Sequence, residues 1–467
     1  MTTNAVNKGS ASSPTLLKGR ALRRNYLSAL ENLAQAVGTM GPAATLGTVI
    51  PLLIAKTGNG TWLLFLGILG VFFLISINIT VFASRLASAG GLSSYAEQGL
   101  GGWPGILTGW SYIVAMTFIV TSSVVASAYY LGMVMAHFTN HPVGKAGSIL
   151  LTLLVLMLAW LPAYRDIKLS TKVMLCSEAI SVGVILLILG VAMWRNVHGI
   201  DQAQLHLAGT RSPQIKLGLV LAFMMLAGFE SSTTLGEEAQ SATRTIPRVM
   251  IFCLLLLGLL FLASIYSITA LSHSRDLGLD QTSAPLDVIA RSINLPALGW
   301  ISSLGVALSC FGCALGGLNA GARVIFSMAR ERLFAPFFAT IHPLNGTPSR
   351  ALVVIGMVAL IIPILLITSG VAMANAMDYL MQIASFGFLG GYLSVCVAAP
   401  FYLARHHTLT VMQLLVAAIT LLVIGAVLFL SLIPIPDPPW RYLPYCFGTL
   451  VLMGTLSTVY FRRKIRP

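Results

Sequence analysis

Long apolar runs alternate along the chain with short polar or basic stretches. No formally charged residue occurs between Glu97 and Lys145, Arg248 and Arg275, Arg350 and Asp378, or Arg405 and Asp437. Each gap is long enough to cross a bilayer, which takes about 20 apolar residues in helical form. The pattern predicts twelve spans, at 29–56, 61–87, 104–137, 147–163, 170–194, 216–239, 249–272, 299–330, 350–370, 377–404, 409–433 and 442–461. An all-α polytopic membrane protein follows, because the remaining segments are too short for a soluble domain. Composition agrees: 9% of residues are charged, against about a quarter in soluble domains.

Two spans are interrupted. Residues 35–51, QAVGTMGPAATLGTVIP, crowd Gly38, Gly41, Pro42 and Gly47 into the first. Proline removes a donor and collides with the preceding turn, so the helix should break near Gly41 and Pro42. Residues 227–248, AGFESSTTLGEEAQSATRTIPR, interrupt the sixth span with Gly228, Glu230 and four consecutive hydroxyl residues. Freed backbone groups at membrane depth survive only where they face protein or a wet cavity. A carboxyl there, such as Glu230, costs at least about 2.5 kcal/mol to insert and marks a functional site. The breaks lie 187 residues apart, early in each half of the chain. Paired interruptions of this kind point to a transporter with inverted repeats and a midplane site. The half-helix beginning near Ala43 would offer N–H groups and a positive dipole end to a carboxylate. Carbonyls ending the half-helix at Ala227 and Gly228 would suit an ammonium.

Charge supplies orientation. Twenty of the 28 Lys and Arg residues fall on the face that carries both termini, which should therefore be cytoplasmic. These basic residues sit beside anionic lipid headgroups, so the net charge of +14 requires no nucleic-acid partner. Residues 1–17, rich in Ser, Thr, Asn and Ala, are expected to be disordered. The six cysteines lie in or beside apolar segments and suggest small buried hydrophobes, Cys310-x-x-Cys313 included. The eight histidines show no metal spacing, and no cofactor is implied. No cluster of nucleophile, base and oxyanion donor appears, which argues against an enzyme.

The sixth-span stretch GFESSTTLGEEAQSATRTIPR resembles the corresponding signature of the amino acid–polyamine–organocation superfamily of transporters. Residues 87–110, ASAGGLSSYAEQGLGGWPGILTGW, and 329–352, ARERLFAPFFATIHPLNGTPSRAL, are similar to two further segments of that superfamily, in the right order. The resemblance covers at least residues 30–405. It implies a leucine-transporter-like fold, with a tail at 1–27, inverted repeats of five helices at 28–200 and 201–405, and two additional helices at 406–467. The usual Asn-Pro before the arginine is replaced by Ala242 and Thr243, and GTMGPAAT departs from the usual first-span pattern, so side-chain specificity does not carry over.

By resemblance, the backbone of Met40, Gly41, Pro42, Ala43, Ala44 and Thr45 would receive a substrate carboxylate, and Ala227, Gly228 and Phe229 the amino group, with Glu230 beside them. Phe223 and Phe229 are the gate candidates. A sodium site of this fold would use span-eight hydroxyls, yet Ser309 is the only one between Ser303 and Ser327. Glu178, the only carboxylate of the fifth span, is the candidate proton-coupling group in its place. Glu237, Glu238, Arg244 and Arg248 can pair within the loop after span six, and Arg323 suggests a snorkelling or internally paired group. The expectation is a secondary transporter of amino acids or closely related amines in the plasma membrane. The alternatives are a potassium, polyamine or other organic-cation carrier, and a receptor that senses without transporting.

Overall fold

The computed structural model describes residues 21–196, 200–207, 210, 215–274, 285–292, 294–433 and 437–465. The tail expected to be disordered lies outside them. Regular structure among the described residues is helical, apart from one isolated bridge between Leu27 and Ala239. Eleven stretches are long and apolar enough to cross a membrane. The first, Ala29–Ala83, merges the two spans expected at 29–56 and 61–87. Within it, Gly58 at φ 63° and a short 3-10 turn, Gly58–Gly60, separate Ile50–Thr57 from Thr61–Ala83.

The helices differ in depth. Gly102–Thr139 is buried along its whole apolar stretch, whereas Val411–Leu432 and Leu443–Ile465 sit at the periphery. Exposed Leu187, Leu259 and Leu422 face outward, as a surface bathed by acyl chains requires. Ala297–Arg330 runs through the middle. Its small-residue stretch CALGGLNAGA permits close approach: a Cβ at Gly316 would meet the Thr39 hydroxyl at 2.4 Å, and one at Gly317 would meet Val120 at 2.6 Å. Small residues are the usual means of bringing helices together in lipid.

One end of the bundle is tied shut. The backbone N–H groups of Tyr26 and Leu27 donate to the Glu238 carbonyl at 2.7 and 2.9 Å, and that of Gln240 donates to the Leu27 carbonyl at 2.8 Å. The Glu238 side chain receives Arg323 Nε at 2.5 Å and Nη2 at 3.1 Å, with both residues 1% exposed. Glu237 pairs with Arg330, and Arg23 with Asp166 at 2.7 Å. The expected pairing of Glu237 and Glu238 with Arg244 and Arg248 is not what forms. Those two arginines leave on the exposed face of Ala242–Ser274, while the acids turn inward against Ala297–Arg330. On the same side the short helix Leu92–Leu100 packs Tyr95, fully buried, against Phe82 with ring centroids 5.5 Å apart.

Candidate substrate cavity between two broken helices

The first break follows directly from its residues. Ala29–Met40 ends at Gly41, whose φ of 56° and ψ of 64° are left-handed, and its N–H returns to the Val37 and Gly38 carbonyls. Pro42 then opens a new turn, Pro42–Ala44, which widens into a π-helical segment, Thr45–Val49, before Ile50–Thr57. Such bulges leave carbonyls imperfectly paired and cluster at functional sites. The second break lies at Gly228, φ 99°, between Ile215–Met224 and a 3-10 segment, Phe229–Leu235. The breaks touch. A Cβ at Gly228 would come within 3.1 Å of Thr39 Cγ2, and Ser231 Oγ donates to the Gln35 carbonyl at 3.2 Å.

A cavity of about 360 Å³ opens beside them. Of the residues expected to receive substrate, Met40, Gly41, Ala44, Thr45 and Ala227 line it. Pro42, Ala43, Gly228, Phe229 and Glu230 stand outside the lining, as do both gate candidates. Phe223 and Phe229 are fully buried and pack with Phe72 at centroid distances of 4.8 and 5.6 Å, beside Tyr392. Tyr130 and Phe388 are the aromatic residues on the wall.

Protein side chains already occupy the helix ends. Glu178, 3% exposed, reaches the start of the restarted first helix. The Ala43 N–H faces its carboxylate, Ser309 Oγ lies 2.9 Å from both of its oxygens, and that same hydroxyl accepts from the Ala44 N–H at 3.0 Å. A helix N-terminus is the most favourable place to hold a buried anion. At the other break, Glu230 is fully buried and accepts from Tyr392 at 2.5 Å, from Tyr112 at 2.9 Å and from the Gly228 N–H at 3.2 Å. The N–H groups that the sequence offered to a substrate carboxylate are thus engaged internally. Cys310 and Cys313 are free thiols, and Cys313 Sγ donates to the Thr39 carbonyl at 3.0 Å.

Sequence reasoning missed Tyr112 and Tyr392, which lie far from the break in the chain and gave no local signal. It also missed Asp378 and Gln382, which line the cavity one helical turn apart. Asp378 was visible only as the end of an uncharged run. No group of three or more potential metal-binding side chains occurs among the described residues.

Long apolar helices packed around two touching breaks, with a cavity at their junction, define a membrane transporter rather than an enzyme. The chain belongs to the amino acid permease family of the amino acid–polyamine–organocation superfamily, with the family match running over residues 27–456. It is similar to the low-affinity putrescine importer PlaP of Escherichia coli, 24% identical over 70% of each chain. It is also similar to the methylthioribose transporter of Bacillus subtilis, 23% identical over 79% of this chain and 80% of that one. A third relative is the large neutral amino acids transporter small subunit 2 of Oryctolagus cuniculus, 25% identical over 57% of this chain and 50% of the other.

Proposed function

We propose that the protein is a secondary transporter that carries amino acids or closely related amines across the plasma membrane by alternating access, independently of sodium. The observation that carries this reading is the cavity at the junction of the two broken helices. Relatives named for putrescine, methylthioribose and large neutral amino acids support the class of cargo without choosing among its members. Reading Ala29–Ala83 as two passes gives twelve spans, with 28–200 and 201–405 as the inverted repeats and 406–467 appended.

Positive-inside charge places both termini in the cytoplasm. The end tied by Glu238 and Arg323 is then the closed cytoplasmic side, and the cavity, lined by Thr48, Leu52, Val220 and Asp378, faces outward. Cysteine labelling of intact cells expressing a cysteine-free variant should find single cysteines introduced within 195–215 and 273–297 accessible, and those within 239–248 protected. The opposite pattern would reverse the orientation.

Sodium independence rests on Ser309. It is the one hydroxyl that a cation could use in mid-helix, and it is bonded to Glu178. A carboxylate held there can take up and release a proton as the surroundings alternate between wet and closed, coupling protonation to the conformational equilibrium. Glutamine keeps the size of the side chain but cannot titrate. In proteoliposomes screened against radiolabelled amino acids and amines, wild-type uptake should survive replacement of sodium by N-methylglucamine. Glu178→Gln should flatten its pH profile. An unaltered profile, or uptake that stops without sodium, would return Glu178 to a structural role.

A further inference from the structure

We infer that Cys310 and Cys313 form a vicinal dithiol in the cavity wall that chelates trivalent arsenic, and that the adduct locks the carrier. The dithiol stands on the geometry of one helix, whereas the lock rests on the transporter reading above.

Position brings the two thiols together. They are three residues apart on the continuous helix Ala297–Arg330, a spacing that puts side chains on one face with Cβ atoms about 5–6 Å apart. Both line the cavity, at 5% and 6% exposed, and neither is in a disulfide. Ser309 and Gly312, on the adjoining strip of the same helix, face Glu178 instead. The helix thus turns its carboxylate contacts to one side and its thiols to the other. Cys176 and Cys446 are exposed outside the lining, and Cys253 and Cys396 are buried away from it. No other two of the six cysteines are so close in the chain.

The spacing favours a bridge over a direct bond. A disulfide needs Cβ atoms about 3.5–4.5 Å apart, closer than a regular helix brings them at this spacing. An arsenic atom between the sulfurs makes up the difference without unwinding the helix. Space is sufficient, since a cavity of about 150 Å³ already holds benzene and this one measures about 360 Å³. With phenylarsine oxide, the two S–H bonds and the arsenic–oxygen bonding break, two S–As bonds form, and the oxygen leaves as water with both protons. Arsenic stays trivalent, so no oxidant or reductant is needed.

The lock follows from what the cysteines touch. Cys313 Sγ donates to the carbonyl of Thr39, the penultimate residue of Ala29–Met40, at 3.0 Å, and a Cβ at Gly41 would lie 3.4 Å from Cys313 Cβ. Arsenic on this sulfur replaces the proton of that bond, and its phenyl group takes up cavity volume bounded by the first break. Ser123 stands next to Cys313 and Tyr130 near Cys310, both from Gly102–Thr139. The adduct therefore also wedges against the helix that packs on Ala297–Arg330.

Intact mass spectrometry of the purified full-length protein after phenylarsine oxide should find one phenylarsenic that survives excess mercaptoethanol and is removed by dimercaptopropanol. Only attachment at two points resists a monothiol. Cys310→Ala and Cys313→Ala should each lower that retention about tenfold or more. In proteoliposomes, counterflow of radiolabelled amino acids and amines should fall about tenfold with the adduct and return with the dithiol. Should Cys313→Ala fail to fold because it touches the first break, Cys310→Ala carries the same test. A monothiol-resistant adduct that persists in Cys310→Ala, or none in the wild type, overturns the dithiol. A stoichiometric adduct with undiminished counterflow overturns the lock. The adduct in a protein that exchanges none of the probes before treatment supports the dithiol and counts against the transporter reading alone.

Discussion

Gly228→Val should abolish uptake while full-length protein still reaches the membrane. Gly228 sits at φ 99°, where a β-branched residue is a severe outlier, and backbone strain of this kind costs on the order of 1–3 kcal/mol. Its Cβ would also press to 3.1 Å from Thr39 Cγ2 and 3.4 Å from the Thr39 carbonyl oxygen. Thr39 is the penultimate residue of the first half-helix, so the substitution drives the two breaks apart. The effect acts through the junction and not through the cavity's free volume, because Gly228 is not part of the lining. Gly41→Ala should be milder. Its Cβ meets Cys313 Cβ at an ordinary 3.4 Å, leaving the left-handed backbone at φ 56° as the main cost. Uptake measured per molecule of membrane-inserted protein separates the two, and wild-type rates for Gly228→Val would remove the junction from the mechanism.

Arg323→Ala should produce the largest loss of stability, roughly 3–5 kcal/mol, because it leaves the Glu238 carboxylate buried without its partner. Glu238 also fixes the N-terminal segment through its carbonyl. The damage should therefore spread to Tyr26 and Leu27, and protease sensitivity near residue 27 should rise with the fall in melting temperature. Exchanging both partners, Arg323→Met with Glu238→Gln, should recover much of the loss, since no unpaired ion remains. The Arg330–Glu237 pair, whose arginine is 36% exposed, should contribute under about 1 kcal/mol when broken. An unchanged melting temperature in Arg323→Ala would show that Glu238 finds another partner or water.

What the sequence disclosed was local in origin. Gly41, Pro42 and Gly228 announce the breaks because backbone geometry is set by the residues at the break itself. Span positions follow from uncharged runs for the same reason. The boundary between the first two spans was legible as the polar stretch Lys56–Thr61, and the structure puts the three-residue turn Gly58–Gly60 there, within the otherwise continuous stretch Ala29–Ala83. Pairings were harder. Glu238 finds Arg323, 85 positions away, in preference to the nearer Arg244, and helix packing alone decides this. Glu178 was recognisable as a buried carboxylate, but its place at the N-terminus of the restarted first helix depends on how Ile167–Asn196 meets Ala297–Arg330. Phe223 and Phe229 were gate candidates by resemblance, lying just outward of and at the break. Their contacts with Phe72 and Tyr392, residues distant in the chain, were not legible in it.

The self-capping of both breaks bears on how the carrier resets. Where helix ends are left bare for cargo, the unloaded protein holds exposed dipoles that resist closure, and the return stroke waits for a replacement molecule. Here Glu178 and Glu230 hold the broken ends, so under the proposed alternating access the unloaded protein would close over groups that are already satisfied. On the alternating-access reading proposed above, such an architecture would favour net uptake over obligate one-for-one exchange.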